Sequence, residues 1–264
     1  MPEEARPRPV PSRVRDALLG GRRNLAADRG LADELTTRFP GLPVAVAEAR
    51  AFTVRAVTWC ALQGIGQYVV PDPGPAAGAA VREAARAVIP GARVAVACPP
   101  GDSSALAYAL LDAARLPGVA VISGAPVADP AALLASPALR AVADMDGPAC
   151  VVLALMLHLM DAGQARDMVA RVAAMLAPGS CVVVSAAIPD SSPDGDELIA
   201  VAAPCAVVRR HPPGVIAGWL AAAGLEIVEP GVTDVRGWRA GMPEPRLRPR
   251  RVPAMVAGAV ARVP

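Results

Sequence analysis

From residue 44 onward, short β-branched runs alternate with longer stretches whose apolar residues recur at helical spacing. Val46, Ala49, Ala51, Phe52, Val54, Val57 and Ala61 give residues 44–61 a helical periodicity, which predicts a helix stopped by Gly64 and Gly66. Residues 68–70 then read as a strand, and 79–89 as a helix that Pro90-Gly91 terminates. The pair repeats: a strand at 94–97, an elbow at Pro99-Pro100-Gly101, and a helix capped by Asp102 or Ser103 and running to Arg115. Another strand at 119–122 follows Pro117-Gly118, and Asp129-Pro130 opens a further helix. Residues 150–157 are continuously apolar, as expected of a central parallel strand buried on both faces. A helix from Asp161 to Met175, a strand at 181–186, a polar loop at 190–196 and a helix at 215–223 come next, and 225–229 with 235–240 read as a hairpin across Pro230-Gly231. Near the start, Ser12 and Asn24 are the expected caps of two short helices flanking Gly20-Gly21.

Strands alternating with helices predict an α/β, Rossmann-like, doubly wound and mostly parallel sheet with an N-terminal helical extension. The expected divisions are a flexible tail at 1–12, a helical cap at 13–66, the sheet domain at 67–240 and an Arg/Pro-rich tail at 241–264.

Composition narrows the function. The 264 residues suit one large domain with trimmings. All 26 basic residues are arginine, which reads as coding bias rather than chemistry. A net charge of +2 and an aromatic content of 3% argue against nucleic-acid binding, and Arg246 to Arg251 (RLRPRR) reads as a solvated tail. The five cysteines include no C-x-x-C pair, so neither a metal site nor a disulfide framework is expected. Residues 1–12 lack the apolar core of a signal peptide, and the longest apolar run, eleven residues at 150–160, is too short to span a bilayer. These features place the chain in the cytoplasm, away from membranes, with its oligomeric state open.

The candidate site is the stretch 67–80, QYVVPDPGPAAGAA, where a strand meets a Pro/Gly elbow that opens a helix. Open α/β sheets place nucleotide-type ligands at such turns. The loop lacks a clean G-x-G-x-x-G, and Pro71 and Pro73 remove two backbone donors from it. Asp72 either faces a ligand or caps the following helix. His158, at the end of the apolar run, sits where a general base would be useful, although a histidine in such a run is often a core residue. Cys98 lies on the same strand-end rim, and the second histidine, His211, falls in an Arg/Pro loop, which argues against Cys/His hydrolysis.

Several blocks carry a family likeness. RVRDALLGGRRNLAADR (13–29), RAFTVRAV…GIGQYVV (50–70), PGARVAV (90–96), DPAALLASPALRAVADMDGP (129–148), LALMLHLM (153–160), VARVAAMLAPGSCVVVS (169–185) and GLEIVEPGVTDVRGWR (224–239) resemble a bacterial family of class I S-adenosylmethionine-dependent methyltransferases, formerly catalogued as a domain of unknown function. The resemblance implies the class I methyltransferase fold, S-adenosylmethionine as cofactor and a small-molecule methyl acceptor. It implies cofactor-binding roles for Asp16, Gly20, Gly21, Asn24, Asp72, Gly74, Cys98 and Pro126, and a catalytic one for His158. It also exposes departures. The family's first motif reads like LDIGTGLPT, and here the strand-end acid is Val70 and the first glycine is Asp72, with Gly74 retained. The acid that would grip the ribose is Cys98, and the adenine-side acid is Pro126. Two aromatic positions of the opening helix are Arg15 and Ala17, and the histidine after the fifth strand is Ala186. These losses leave a second expectation beside methyl transfer: a pseudoenzyme that keeps the fold as a binding or regulatory module.

Overall fold

The computed structural model describes residues 8–71, 77–98, 103–123, 130–239 and 254–264. Three helices open the chain: α1 (Pro11–Leu18), α2 (Ala26–Arg38) and α3 (Leu42–Leu62). Then β1 (Gln67–Pro71), α4 (Ala77–Arg86), β2 (Arg93–Cys98), α5 (Ser103–Arg115) and β3 (Val119–Ser123) alternate as expected. The second half holds α6 (Pro130–Leu134), α7 (Pro137–Arg140), β4 (Cys150–Ala154), α8 (Ala162–Ala174), β5 (Cys181–Pro189), α9 (Pro193–Ala202) and α10 (Pro213–Ala222). Three more strands follow: β6 (Glu226–Ile227), β7 (Thr233–Asp234) and β8 (Ala254–Arg262).

The sheet runs β3-β2-β1-β4-β5-β8-β6, with β7 also paired to β8. Strands β1 to β5 are mutually parallel and β8 is antiparallel to β5. Side chains of successive strand residues point to opposite faces. Val69, Ala95, Ala97, Val151, Leu153 and Val182 accordingly join the core under α6, α8 and α10. Tyr68, Val70, Val94, Val96, Val152 and Val183 join the other core, which α3 and α4 cover with Phe52, Val57, Val81 and Ala85. A third, small core ties α1 and α2 to α9 through Val14, Leu31, Leu35, Phe39 and Leu198. Helix α3 is thus a layer of the sheet domain itself, whereas α1 and α2 pack on α3 and α9.

The structure corrects several expectations. Residues 254–262 form β8 rather than part of a tail, and β8 lies between β5 and β6. There is no hairpin between the strands at 226–227 and 233–234, because each pairs with β8. Gly258 is what lets α3 approach that strand. A Cβ there would stand 2.7 Å from two ring carbons of Phe52. The polar segment 190–196 contains a helix start, with Ser192 Oγ accepting from the backbone N–H of Gly195 ahead of α9. The apolar run from 150 is a strand only to Ala154, and Leu157–Leu159 form a 3-10 turn after the positive φ of Leu155. Ser12 caps nothing: Pro11 begins α1, and Ser12 is buried in its first turn. Asn24 is not a cap either, since the Leu25 N–H that opens α2 donates to Asp28 Oδ2 at 2.7 Å.

All five cysteines are free. Cys60, Cys150 and Cys181 gather in the core near Tyr68, with the first two sulfurs 3.9 Å apart, and the Cys60 thiol is pushed up by its contact with Cys150 and by burial. Thiols held protonated in an apolar core are poor nucleophiles. The RLRPRR segment lies outside the described residues.

Candidate functional site

The strand order reverses between β1 and β4, and that switch point is where open α/β sheets take ligands. A cavity of about 160 Å³ lies there. Val70 and Pro71 from β1, Val152 and Ala154 from β4, and Ala77 and Ala80 from α4 form its floor. The roof is α1, the turn after it and α3, which bring Arg15, Asp16, Gly21 and Arg50, with Ser12 and Thr53, to a largely apolar wall.

The double glycine shapes that roof. Asp16 is buried, and its Oδ2 accepts from the Arg23 N–H and from Asn24 Nδ2, both at 2.8 Å. Asn24 Nδ2 also donates to the Gly21 carbonyl at 2.9 Å, while the Gly21 N–H donates to the Asp16 carbonyl at 2.8 Å. Gly20 turns the chain at φ +72°, and a Cβ on Gly21 would stand 2.2 Å from Asp16 Oδ1. The four N-terminal residues picked out in the sequence thus form one braced turn. Asp16 and Gly21 reach the cavity wall, whereas Gly20 and Asn24 hold the turn behind it.

This turn is anchored by a buried ion pair. Arg13 Nε donates to Asp28 Oδ2 at 2.8 Å, with side chains 7% and 0% exposed. Asp28 Oδ1 accepts from the Val10 N–H at 2.9 Å. One carboxylate therefore ties together the entry of α1, the side of α1 and the start of α2.

Of the remaining predicted positions, Asp72, Gly74 and Pro126 lie outside the described residues. Cys98 is 1% exposed at the end of β2 and packs in the core rather than lining the cavity. Ala186 is buried within β5, which runs three residues beyond it. Two arginines emerge that the motif comparison did not single out as ligand contacts. Arg15 stands at a position read as a departure. Arg50 opens the RAFTVRAV block, and it has no hydrogen-bond or ion-pair partner among the described residues.

A second cavity, about 140 Å³, adjoins the first. Arg15, Val46 and Leu155 line both. Its walls are apolar, with Val14, Leu18, Leu35, Leu159 and Leu198 prominent, and His158 is among them. His158 is only 8% exposed, and its Nδ1 accepts from the Ala187 N–H at 3.3 Å. That bond fixes the neutral tautomer with the proton on Nε2, a nitrogen with no partner among the described residues. Burial, with the charge of Arg15 and then of His211 adding to it, lowers the His158 pKa from 6.5 to about 3. The geometry suits a hydrogen-bond donor better than a base, because accepting a proton at Nε2 would require surrendering the Ala187 bond or carrying a buried charge. His211 is a packing residue: its Nε2 donates to the Met160 carbonyl at 2.9 Å, and its ring lies edge-on to Trp219 at 4.9 Å.

A folded pKa below the unfolded one means that the unfolded chain binds the extra proton in between. Stability is then complete above pH 6.5 and is lost as pH falls toward 3. From this group alone the slope is at most about 1.4 kcal/mol per pH unit. Urea titrations of His158→Gln between pH 7 and 4 should show a flatter acid limb than the parent chain. Equal slopes would mean that His158 is not the buried neutral group described.

A parallel sheet ending in an antiparallel strand inserted between its fifth and outermost strands, with a cavity over β1 and β4, defines the Rossmann-like class I methyltransferase architecture. The profile of the S-adenosyl methyltransferase family known as Methyltransf_19 matches residues 4–264, and the chain belongs to that family. The cofactor of the family is S-adenosylmethionine. Among solved structures, a candidate methyltransferase of Thermobifida fusca YX is similar over 97% of this chain and 95% of its own, at 30% identity and a TM-score of 0.86. A DUF574 family protein of Streptomyces avermitilis MA-4680 is 25% identical over 97% of this chain and 98% of its own, with a TM-score of 0.83. Human N-acetylserotonin methyltransferase, solved with its methyl donor, shares the fold at 13% identity and a TM-score of 0.51, over 84% of this chain and 55% of its own. A search of curated protein sequences returned no match. Among the described residues, no group of His, Cys, Asp and Glu could hold a metal ion, and no helix is long and apolar enough to cross a membrane.

Proposed function

We propose that this chain binds S-adenosylmethionine in the first cavity and transfers a methyl group to a small molecule. The observation that carries this reading is the pairing of an apolar floor at the switch point with Arg15, Asp16 and Arg50 in the roof. Those charges complement the zwitterionic amino-acid end of the cofactor. Arg50 would hold its carboxylate, and Asp16 would face its positive groups. When bound, the cofactor supplies a methyl carbon on a sulfonium sulfur. The chain's own contribution is alignment and exclusion of water, which suffice for an in-line displacement.

Isothermal titration with S-adenosylmethionine and S-adenosylhomocysteine is the direct test. Both should bind, and Arg50→Gln should weaken binding about tenfold, the low end for a charge-assisted hydrogen bond because Arg50 is exposed. Absence of heat at millimolar ligand would overturn the reading. One observation favours a second reading, a binding module without catalysis: Val70 and Cys98 put uncharged side chains at the ends of β1 and β2, where the family places carboxylates. Absence of cofactor binding in the same titration would favour this second reading.

A further inference from the structure

We propose that the second cavity holds the methyl acceptor and that this acceptor is a ring-sized, largely apolar carboxylic acid. The proposal rests on the methyl-transfer reading above. Adjacency is the first support, since Arg15, Val46 and Leu155 line both cavities, so an acceptor in one borders a donor in the other. Size is the second. A cavity of 140 Å³ is close to the roughly 150 Å³ that accommodates benzene in an engineered apolar core.

Chemistry supplies the rest. His158 is more than nine-tenths buried, lines this cavity, and keeps an Nε2–H donor without a hydrogen-bond partner among the described residues, so a ligand there gains by offering an oxygen. Arg15 on the shared wall makes an anionic oxygen preferable to a neutral one. No Asp or Glu among the described residues lines this cavity, and the one free nitrogen of His158 already carries a proton. An alcohol or an ordinary phenol would need a base to become nucleophilic, whereas a carboxylate arrives ionised at neutral pH. One carboxylate oxygen accepts from His158 and the other is left to react. Its lone pair forms the new O–C bond while the S–C bond of the donor breaks with its electron pair kept by sulfur. Carboxylate and sulfonium become a methyl ester and a thioether, both neutral at the reacting centre, and no proton has to be removed.

Benzoate and benzyl alcohol are the probes, titrated calorimetrically into the full chain with and without S-adenosylhomocysteine. Benzoate should bind at least tenfold more tightly than benzyl alcohol. His158→Phe should reduce benzoate affinity at least tenfold while leaving S-adenosylhomocysteine binding unchanged. Ala206→Trp, at a half-buried position on the cavity wall, should block benzoate with the imidazole still present, which keeps the test decisive if His158→Phe does not fold. Equal binding of acid and alcohol, or parental benzoate affinity in either variant, would overturn the proposal. Binding of S-adenosylhomocysteine without benzoate would leave the methyltransferase reading standing and remove the acceptor class. Binding of benzoate without S-adenosylhomocysteine would support the acid site and overturn methyl transfer.

Discussion

Removal of residues 254–264 should leave a chain that does not fold. Strand β8 pairs with all nine residues of β5, and among the described residues it is the only partner of β6 and β7. It buries Val256, Ala257, Ala259, Val260 and Ala261 between the two faces of the sheet. The two valines alone represent about 3–6 kcal/mol of transfer free energy. The exposed backbone edge of β5 would add to the loss, against a total stability of about 5–15 kcal/mol for a typical domain. The truncated chain should give no cooperative thermal transition by circular dichroism and should partition into aggregates. A truncated chain that melts cooperatively near the parent temperature would show that β8 is dispensable.

The second large effect should come from Asp28→Asn, which keeps the shape of the side chain and removes its charge. Arg13 would then sit 5% exposed without its carboxylate. The amide nitrogen would also have to face donors, because Asp28 Oδ1 takes the Val10 N–H and Oδ2 takes both the Leu25 N–H and Arg13 Nε. Breaking a buried ion pair by altering one partner costs about 3–5 kcal/mol. Because α1 carries Arg15 and Asp16 into the cavity walls, the loss should extend to ligand affinity. Urea unfolding would measure the first effect and calorimetry with S-adenosylhomocysteine the second. A change below about 1 kcal/mol would mean that solvent reaches the pair and screens it.

Most of the fold was legible because parallel strands buried on both faces announce themselves as apolar runs between Pro/Gly stops. Residues 68–70, 94–97 and 119–122 sit inside β1, β2 and β3. Strand β8 was hidden because its sequence, AMVAGAVAR, contains a glycine and small residues that read as tail, and because it follows an Arg/Pro-rich segment. What makes it a strand is its register against β5, a long-range pairing that local periodicity does not encode. The candidate site was legible in part. The motifs point to Asp16 and Gly21, which line the cavity, whereas the joining of both cavities through Arg15 depends on how α1 packs on α3. His158 was located, but its tautomer follows from the Ala187 N–H on another strand, which no spacing in the chain reveals.

The position of β8 also has a consequence for biosynthesis. Strands β1 to β5 emerge from the ribosome in an order that allows each to find a parallel neighbour as it appears, but β6 and β7 precede the strand on which both depend. Until β8 is released, the growing chain carries an unpaired β5 edge and two short segments with no sheet to join, the kind of transiently exposed edge that invites association between nascent chains. Assembly of this half of the sheet therefore waits for β8, and slow emergence of residues 254–262 would lengthen the interval in which chaperones have something to hold.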